Sequence, residues 1–384
     1  MGRHAEIAGA GMAGLGLSAL LAEAGWTVTV HERAEEVREV GAGIALGQNG
    51  IDALRRIDTL DACIEGGVQI RYWNIQDQWH RIVQEENLTT ELWSVPRSSL
   101  QRGLYEKAVA RGVEVLTSSA VIGAEPDALL LEGGVRRPAD LVVGADGVWS
   151  KVRPSLQERG LKSRQVDLGV WGLRAIMPRN DLDPRDAMLE WLSGQRRVGL
   201  LGLGGNDVAI YMFCPPQDVN GCRVPLDVED WSRSYPELRH AFERVPHDAA
   251  FRPVIETHCA SWSLGSAALL GDAAFSMAPN LGQGACTALQ AAISLTEHVN
   301  GASDIPAALR EWERRERPHV DYVQRWSGRY SRLCSKSRGP VLRARSSLFG
   351  MWGRSERLNA RFAGVEPRRP RLEVSARRAL AVLR

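Results

Sequence analysis

The hydrophobic and polar positions alternate between two periods along the chain. Residues 4 to 8, HAEIA, form a short apolar-leaning run that stops at GAGMAG, after which LGLSALLAEAG carries apolar residues at helical spacing. The next run, WTVTVHER, alternates with period two and ends on Glu32, so the pattern predicts strand, tight turn, helix and strand. Later, PADLVVGADGVWSKVR (138–153) reads as a buried strand, an Asp-Gly turn and a helix. The stretch SAALLGDAAFSMAPNLGQGACTALQAAISL repeats that plan: strand AALLG ends at Asp272, a loop holds Pro279, and LGQG opens an apolar helix. Between them, DLGVWGLRAIM, AMLEWL, RRVGLLGL and DVAIYMFC alternate with period two and predict a mostly antiparallel sheet over 165–260.

The glycines suggest chemistry. Gly9 permits the turn, Gly11 lets backbone approach a pyrophosphate, and Gly14 lets the helix pack on the strand. The helix N-terminus then offers unpaired N–H groups and a positive dipole end to phosphates. Glu32, eighteen positions beyond Gly14, is placed to bind ribose hydroxyls. With Arg33 after it, ligands of the NAD and FAD types both remain open. Residues 199–213, GLLGLGGNDVAIYMF, read as a hairpin because no helix pattern follows their glycines, so one dinucleotide site is the economical count. Gly282 and Gly284 open a second helix N-terminus, and Asp272 at a strand end can accept hydrogen bonds from a polyol. For Asp146, capping the following helix explains the residue as well as a ligand does.

Composition narrows the class. A chain of 384 residues suggests two domains or one with an insertion, and 44% hydrophobic with 24% charged residues excludes a disordered or fibrous protein. The formal charge of +2 hides an asymmetry, for thirteen Lys and Arg stand against three acids from Cys334 onward. We read that tail as a solvated arginine-rich helix, with SSLFGMW and ALAVL packing on the body or on a second subunit, and not as a nucleic-acid surface. The six cysteines show neither C-x-x-C nor zinc spacing, so no metal site or disulfide framework is expected and a cytoplasmic setting is. No leader, myristoylation signal or membrane-length apolar run is recognised.

In order, GAGMAG, HER, GAGIALGQNG (41–50), VPRSSL (95–100), VGADGVWSKVR and GDAAFSMAPNLGQGACTALQAA resemble the single-component flavoprotein aromatic hydroxylases of the para-hydroxybenzoate hydroxylase type, over roughly residues 3–330. The hydroxypyridine members look most similar: 2-methyl-3-hydroxypyridine-5-carboxylate oxygenase and, more distantly, 6-hydroxynicotinate 3-monooxygenase. The resemblance implies an α/β fold. A Rossmann-like FAD-binding domain of the glutathione reductase type (1–70, 96–164 and 260–300) would carry an inserted, mostly antiparallel substrate-binding sheet (71–95 and 165–259) and C-terminal helices (301–384).

It also implies FAD, with NADH or NADPH as co-substrate, O2, and hydroxylation or ring opening of an electron-rich aromatic or hydroxypyridine through a flavin C4a-hydroperoxide, in a monomer or homodimer. Cofactor contacts carried over are Gly9, Gly11, Met12, Ala13 and Gly14 at the pyrophosphate, Glu32 and Arg33 at the adenosine ribose, and Val121 near adenine. Gly43, Arg97, Asp272, Pro279, Gly282, Gln283 and Gly284 would lie on the flavin side. Substrate-pocket candidates are Tyr211, Arg197, Trp191, Trp171, Arg174 and Ala45, with no catalytic base assigned.

Three positions depart from the family. Phe275 stands where many relatives have histidine, which predicts a lost polar contact; Gln290 replaces a common acid; Ala45 replaces the His or Tyr that some relatives place beside the substrate. A flavin halogenase, a flavin oxidase and a non-catalytic flavin-binding protein are the alternatives, and the halogenase W-x-W-x-I-P stretch is absent.

Overall fold

The computed structural model describes residues 2–37 and 42–353. It is a mixed α/β structure. Strand His4–Ala8 lies inside a six-stranded sheet, parallel to Thr27–His31 on one side and to Leu141–Gly144 on the other. Ala267–Leu269 and Glu114–Leu116 extend it in parallel, and Ser263–Leu264 adds an antiparallel edge. All three sequence segments with a glycine turn after an apolar strand therefore deliver those turns to the carboxyl end of one sheet, where ligands of open parallel sheets bind.

Helix Met12–Glu23 is apolar along most of its length because it is buried between the sheet and helix Gly284–Val299. Small residues set that spacing: a Cβ on Gly16 would come within 2.7 Å of the Leu289 side chain. Gly14 is equally constrained, since its Cβ would stand 2.1 Å from the Gly9 carbonyl oxygen.

The second layer is a seven-stranded sheet in the order Arg252–Cys259, Ser163–Pro178, Asp207–Cys214, Arg196–Gly202, Ala187–Ser193, Tyr72–Gln76 and Ile82–Asn87. Its ladders are antiparallel except where Ala187–Ser193 meets Tyr72–Gln76. Strand 196–202 and strand 207–214 form the expected hairpin. One assignment changes: residues 92–95, read with this sheet from the sequence, form strand Leu92–Pro96, which pairs with Gly43–Gly47 and Val68–Gln69 instead.

Successive residues of a strand point to opposite faces, and the two faces of this sheet differ. One face contributes Leu173, Ala175, Trp191, Val198, Leu200, Ile210 and Met212 to a core closed by Trp231, Tyr235, Phe242 and Phe251. The other looks toward strand Gly43–Gly47 and the loop before helix Gly284–Val299. There a Cβ on Gly43 would lie 2.5 Å from that of Ala209, and Ala45 packs with Leu201, Leu203, Ala209 and Tyr211.

Helix Ile305–Lys336, capped by Asp304, whose carboxylate accepts the Ala307 N–H at 3.0 Å, crosses both layers. Helix Val341–Gly353 follows. Its Phe349 is fully buried against Tyr330, ring centroids 5.1 Å apart, so the SSLFGMW segment packs on the body through that residue, while Met351 is exposed. The ALAVL segment lies outside the described residues. No helix among the described residues is long and apolar enough to cross a membrane.

Candidate active site

The two glycine stretches meet through their smallest residues. Gly271, at φ +63, ends the strand before Asp272, and its missing Cβ would sit 3.0 Å from the Cβ of Ala13. Gly282, also at φ +63, lies against Ala45: a Cβ added there would stand 3.5 Å from the Ala45 carbonyl oxygen. The Asp272 turn is thus seated on the first helix, and the PNLGQG loop on strand Gly43–Gly47.

Two further glycines have no such packing reason. A Cβ on Gly11 or on Gly284 would meet nothing within 4 Å, and neither residue needs a positive φ. Each stands at a helix start with no side-chain cap and no acid in the first turn. Helices Val228–Ser234 and Ile305–Lys336, by contrast, are capped by Asp227 and Asp304, while Gln48–Ile57 and Arg97–Ala110 also begin without a side-chain cap or an acid in the first turn. Two bare helix ends facing open space are suited to hold an electron-rich ligand.

Glu32 sits at the lip of the first loop, its carboxylate accepting the Ala10 and Ala34 N–H groups, both at 3.0 Å. Ser118 and Ser119 donate their N–H groups to the Ala34 and Glu32 carbonyls, at 2.8 Å each, which brings the start of strand Val121–Glu125 to the same edge. Arg33 is exposed there. Below them a buried network ties the edge down: His31 contacts Glu6 at 2.5 Å and Ser119 at 2.7 Å. Burial works against the Glu6 charge, but the hydrogen bonds from His31 and His4 hold its carboxyl below the usual range. Asp146 is a capping residue, accepting the Lys151 and Val152 N–H groups at 2.7 and 3.1 Å.

A family model described as FAD binding domain matches residues 4–322. The chain belongs to that family. It is 33% identical to the 2-heptyl-3-hydroxy-4(1H)-quinolone synthase of Mycobacteroides abscessus over 90% of this chain and 96% of the relative. It is 28% identical to the 6-hydroxynicotinate 3-monooxygenase of Bordetella bronchiseptica over 84% and 89%. Among solved structures, a tetrameric form of 2-methyl-3-hydroxypyridine-5-carboxylic acid oxygenase superposes with a TM-score of 0.81 at 32% identity, covering 90% of this chain and 96% of that one. The chain is an FAD-dependent monooxygenase of the aromatic hydroxylase kind.

The residues present fit FAD. The space beside Gly11 and Gly284, the uncapped helix ends and the Glu32 carboxylate are what a dinucleotide with two phosphates and a polyol chain requires. Asp272 is exposed at the turn, and Pro279 and Gly282 are half-buried. The Gln283 side chain turns away to take a hydrogen bond from Asn49 at 2.8 Å, so only its backbone faces the ligand side. Arg97 begins helix Arg97–Ala110, its N–H bound to the Ala42 carbonyl at 2.9 Å. It lies close enough to depress the charge of Arg174, as does Arg197, while Asp272 supports it; with burial the strongest cause, the Arg174 guanidinium comes down to about 10.

The sheet face beside this cradle corrects the pocket candidates. Tyr211, Arg174 and Arg197 lie on the face toward strand Gly43–Gly47: the Arg174 guanidinium lies 5.3 Å over the Phe213 ring, and that of Arg197 is 5.2 Å from the Tyr211 ring. Trp171 and Trp191 are not. Both pack into the core on the opposite face, because the pleat sends residues 174 and 171, or 190 and 191, to different sides.

Arg197 itself is enclosed. Its charge pairs with Glu190 at 2.5 Å, and the rings of Tyr211, Phe213 and Tyr330 surround it at 5.2, 5.8 and 5.1 Å. Burial works against the cation, but the carboxylate more than restores it. Burial and Glu190 likewise push the Tyr211 hydroxyl well above the ordinary phenol range, so it stays protonated. Glu190, which also accepts the Trp73 indole N–H at 3.1 Å, was not foreseen; its signal was an acid set inside the apolar strand AMLEWL. Tyr330 and Phe213 were missed as well, Tyr330 because it arrives from a helix distant in sequence. Phe275 is part of the core, 4.9 Å from Trp262, and does not mark a gap in the polar lining.

Proposed function

We propose that this monooxygenase uses NAD(P)H and O2 to oxygenate a small, electron-rich N-heteroaromatic carrying a hydroxyl or oxo group, bound between the flavin ring and the Tyr211 face of the sheet. The carrying observation is the juxtaposition of two uncapped glycine helix ends with a sheet face whose half-buried cation, Arg174, is influenced by Asp272 and Arg97. Two relatives named for a quinolone and a hydroxynicotinate support the substrate class.

Bound FAD supplies the electron transfer and oxygen activation. The N–H groups at Gly11, Met12 and Ala13 hold its pyrophosphate where Gly9 and Gly14 fix the turn. Glu32 takes the adenosine ribose, with Arg33 and Val121 at the adenine edge. Asp272 binds the ribityl chain, Arg97 reaches the flavin side, and Pro279 with the backbone of 281–284 borders the ring. Arg174 favours negative charge beside the ring, on the flavin or on a substrate oxyanion. The Tyr211 phenol stays protonated and Ala45 has no proton to exchange, so neither acts as base. The substrate therefore binds as an anion whose proton has already gone to solvent, with Arg174 stabilising the oxyanion, or reacts without losing a proton.

This reading takes the six-stranded layer as a Rossmann-like unit of the glutathione reductase type and the seven-stranded sheet as the substrate unit, in a cytoplasmic monomer or homodimer. One experiment tests it: the purified protein with FAD, NADH or NADPH is screened against hydroxypyridines and 4-quinolones for stimulated cofactor oxidation, with product mass. Expected are a yellow holoprotein and a product gaining oxygen, ring-opened or not. NAD(P)H oxidation without an oxygenated product for any of them would reject the substrate class. Gly11→Val and Gly284→Val, whose Cβ atoms meet nothing within 4 Å in the protein, should fold normally yet lose the flavin spectrum.

A further inference from the structure

The sequence gives no reason to pair Cys214 with Cys222, yet their Sγ atoms lie 3.1 Å apart. Cys214 ends strand Asp207–Cys214 and is held in the ladder opposite Trp171. Cys222 lies in the loop that follows, and that loop is built rather than loose. Its N–H bonds the Asp218 carbonyl at 3.0 Å, the Asp218 carboxylate takes the Gly221 N–H at 3.0 Å and Arg196 at 2.6 and 2.8 Å, and the Gly221 carbonyl accepts the Trp231 indole at 3.0 Å. The sulfurs have only to close from 3.1 Å to a bond length of about 2.05 Å.

Access is asymmetric. Cys214 is buried, whereas Cys222 is half-buried, its Sγ 3.7 Å from the carbonyl oxygen of Pro215, one of the residues that line a cavity of about 520 Å³ with Arg196 and Asp218. The other four cysteines, Cys63, Cys259, Cys286 and Cys334, are all buried.

We propose that Cys214 and Cys222 are a modification site, a thiol pair that a peroxide converts into an intramolecular disulfide. The Cys222 sulfur attacks one peroxide oxygen, the O–O bond breaks, and Cys222 becomes a sulfenic acid with water (or an alcohol) leaving. The Cys214 sulfur then displaces the hydroxyl from Cys222, forming the S–S bond and releasing a second water; two thiols are oxidised and one peroxide is reduced. Burial is the main reason both thiols sit above their ordinary range, with Asp218 adding to it, so the first step runs through the small thiolate fraction of the half-buried Cys222 and is slow. The bond fastens the 215–222 loop to the strand on the side away from Tyr211, so it adds stability and leaves flavin binding intact.

The test uses the wild-type holoenzyme. After incubation with hydrogen peroxide, quenching and alkylation, the tryptic peptide of residues 198–223, which holds both cysteines, should lose two hydrogens (about 2 Da) and take up no alkylating agent. A phosphine reductant should reverse this. The oxidised protein should melt a few degrees higher, a shift absent in Cys222→Ser, with an unchanged flavin spectrum. Sulfinic or sulfonic acid on Cys222 with Cys214 still alkylated, or both thiols still alkylated after peroxide, would overturn the proposal.

Discussion

The two faces of the seven-stranded sheet are cut from the same strands, yet one is closed and the other is charged. Trp191 lies in an apolar core with Trp231, while its neighbour Glu190 is buried on the other face against Arg197. The apolar face tolerates changes of shape so long as its volume is filled. The charged face has no such latitude, because each buried charge is supportable only while its partner is present. One sheet thus carries a robust wall and an exacting one, and the exacting one is the face proposed to meet the flavin.

Glu190→Gln should give the largest effect. It leaves Arg197 an uncompensated buried cation, at a cost of about 3 kcal/mol of stability, and it frees Tyr211; thermal unfolding and KM for the best substrate should both worsen, with FAD still bound. If stability fell but KM stayed fixed, the pair would be part of the wall and not of the site.

Arg174→Met should be smaller, weakening an anionic substrate by roughly tenfold, about 1.4 kcal/mol, with little change in melting. The pH dependence has a definite sign: the cation is present below its depressed value of about 10 and is lost above it, so wild-type affinity for an anion should hold from pH 7 to 9 and fall as pH passes about 10. Unchanged affinity for an anionic substrate in Arg174→Met would remove Arg174 from substrate charge recognition, whereas a wild-type profile flat through that range would mean only that the bound anion keeps the guanidinium charged.

Trp191→Phe should be the mildest, roughly 1 kcal/mol or a little more in denaturant unfolding, with KM and turnover unchanged. A raised KM there would mean the faces are coupled and the contrast overdrawn.

What could be read in the sequence follows the same division. The cofactor cradle was legible because it is made by backbone. Gly9 and Gly14 are demanded by packing, and Gly11 and Gly284 by what must approach them, so glycine at those spacings carries the chemistry in the sequence itself. The order of strands and helices followed from the two periods for the same local reason. The substrate face was legible only in part. Alternation already separates Trp171 from Arg174, three residues apart on one strand, but it does not say which face the flavin sees. Tyr330, brought by helix Ile305–Lys336, and the Cys214–Cys222 pair, brought together by a loop, depend on tertiary packing that no local pattern encodes. Phe275 was misjudged because its neighbour Trp262 is distant from the turn motif that made it conspicuous.

The close seating of Gly271 on Ala13, and of Gly16 against Leu289, makes the helix pair Met12–Glu23 and Gly284–Val299 a ruler. The ends of its scale are Gly11 and Gly284, and no flexible linker lies between them. A ligand that touches both marks gains from each without a second loss of rotational freedom, whereas an adenine mononucleotide, with no ring to set beside Gly284, would reach one mark only. Discrimination between a flavin nucleotide and an adenine mononucleotide would then be a measurement of length, set by two helix starts whose spacing the packed glycines fix.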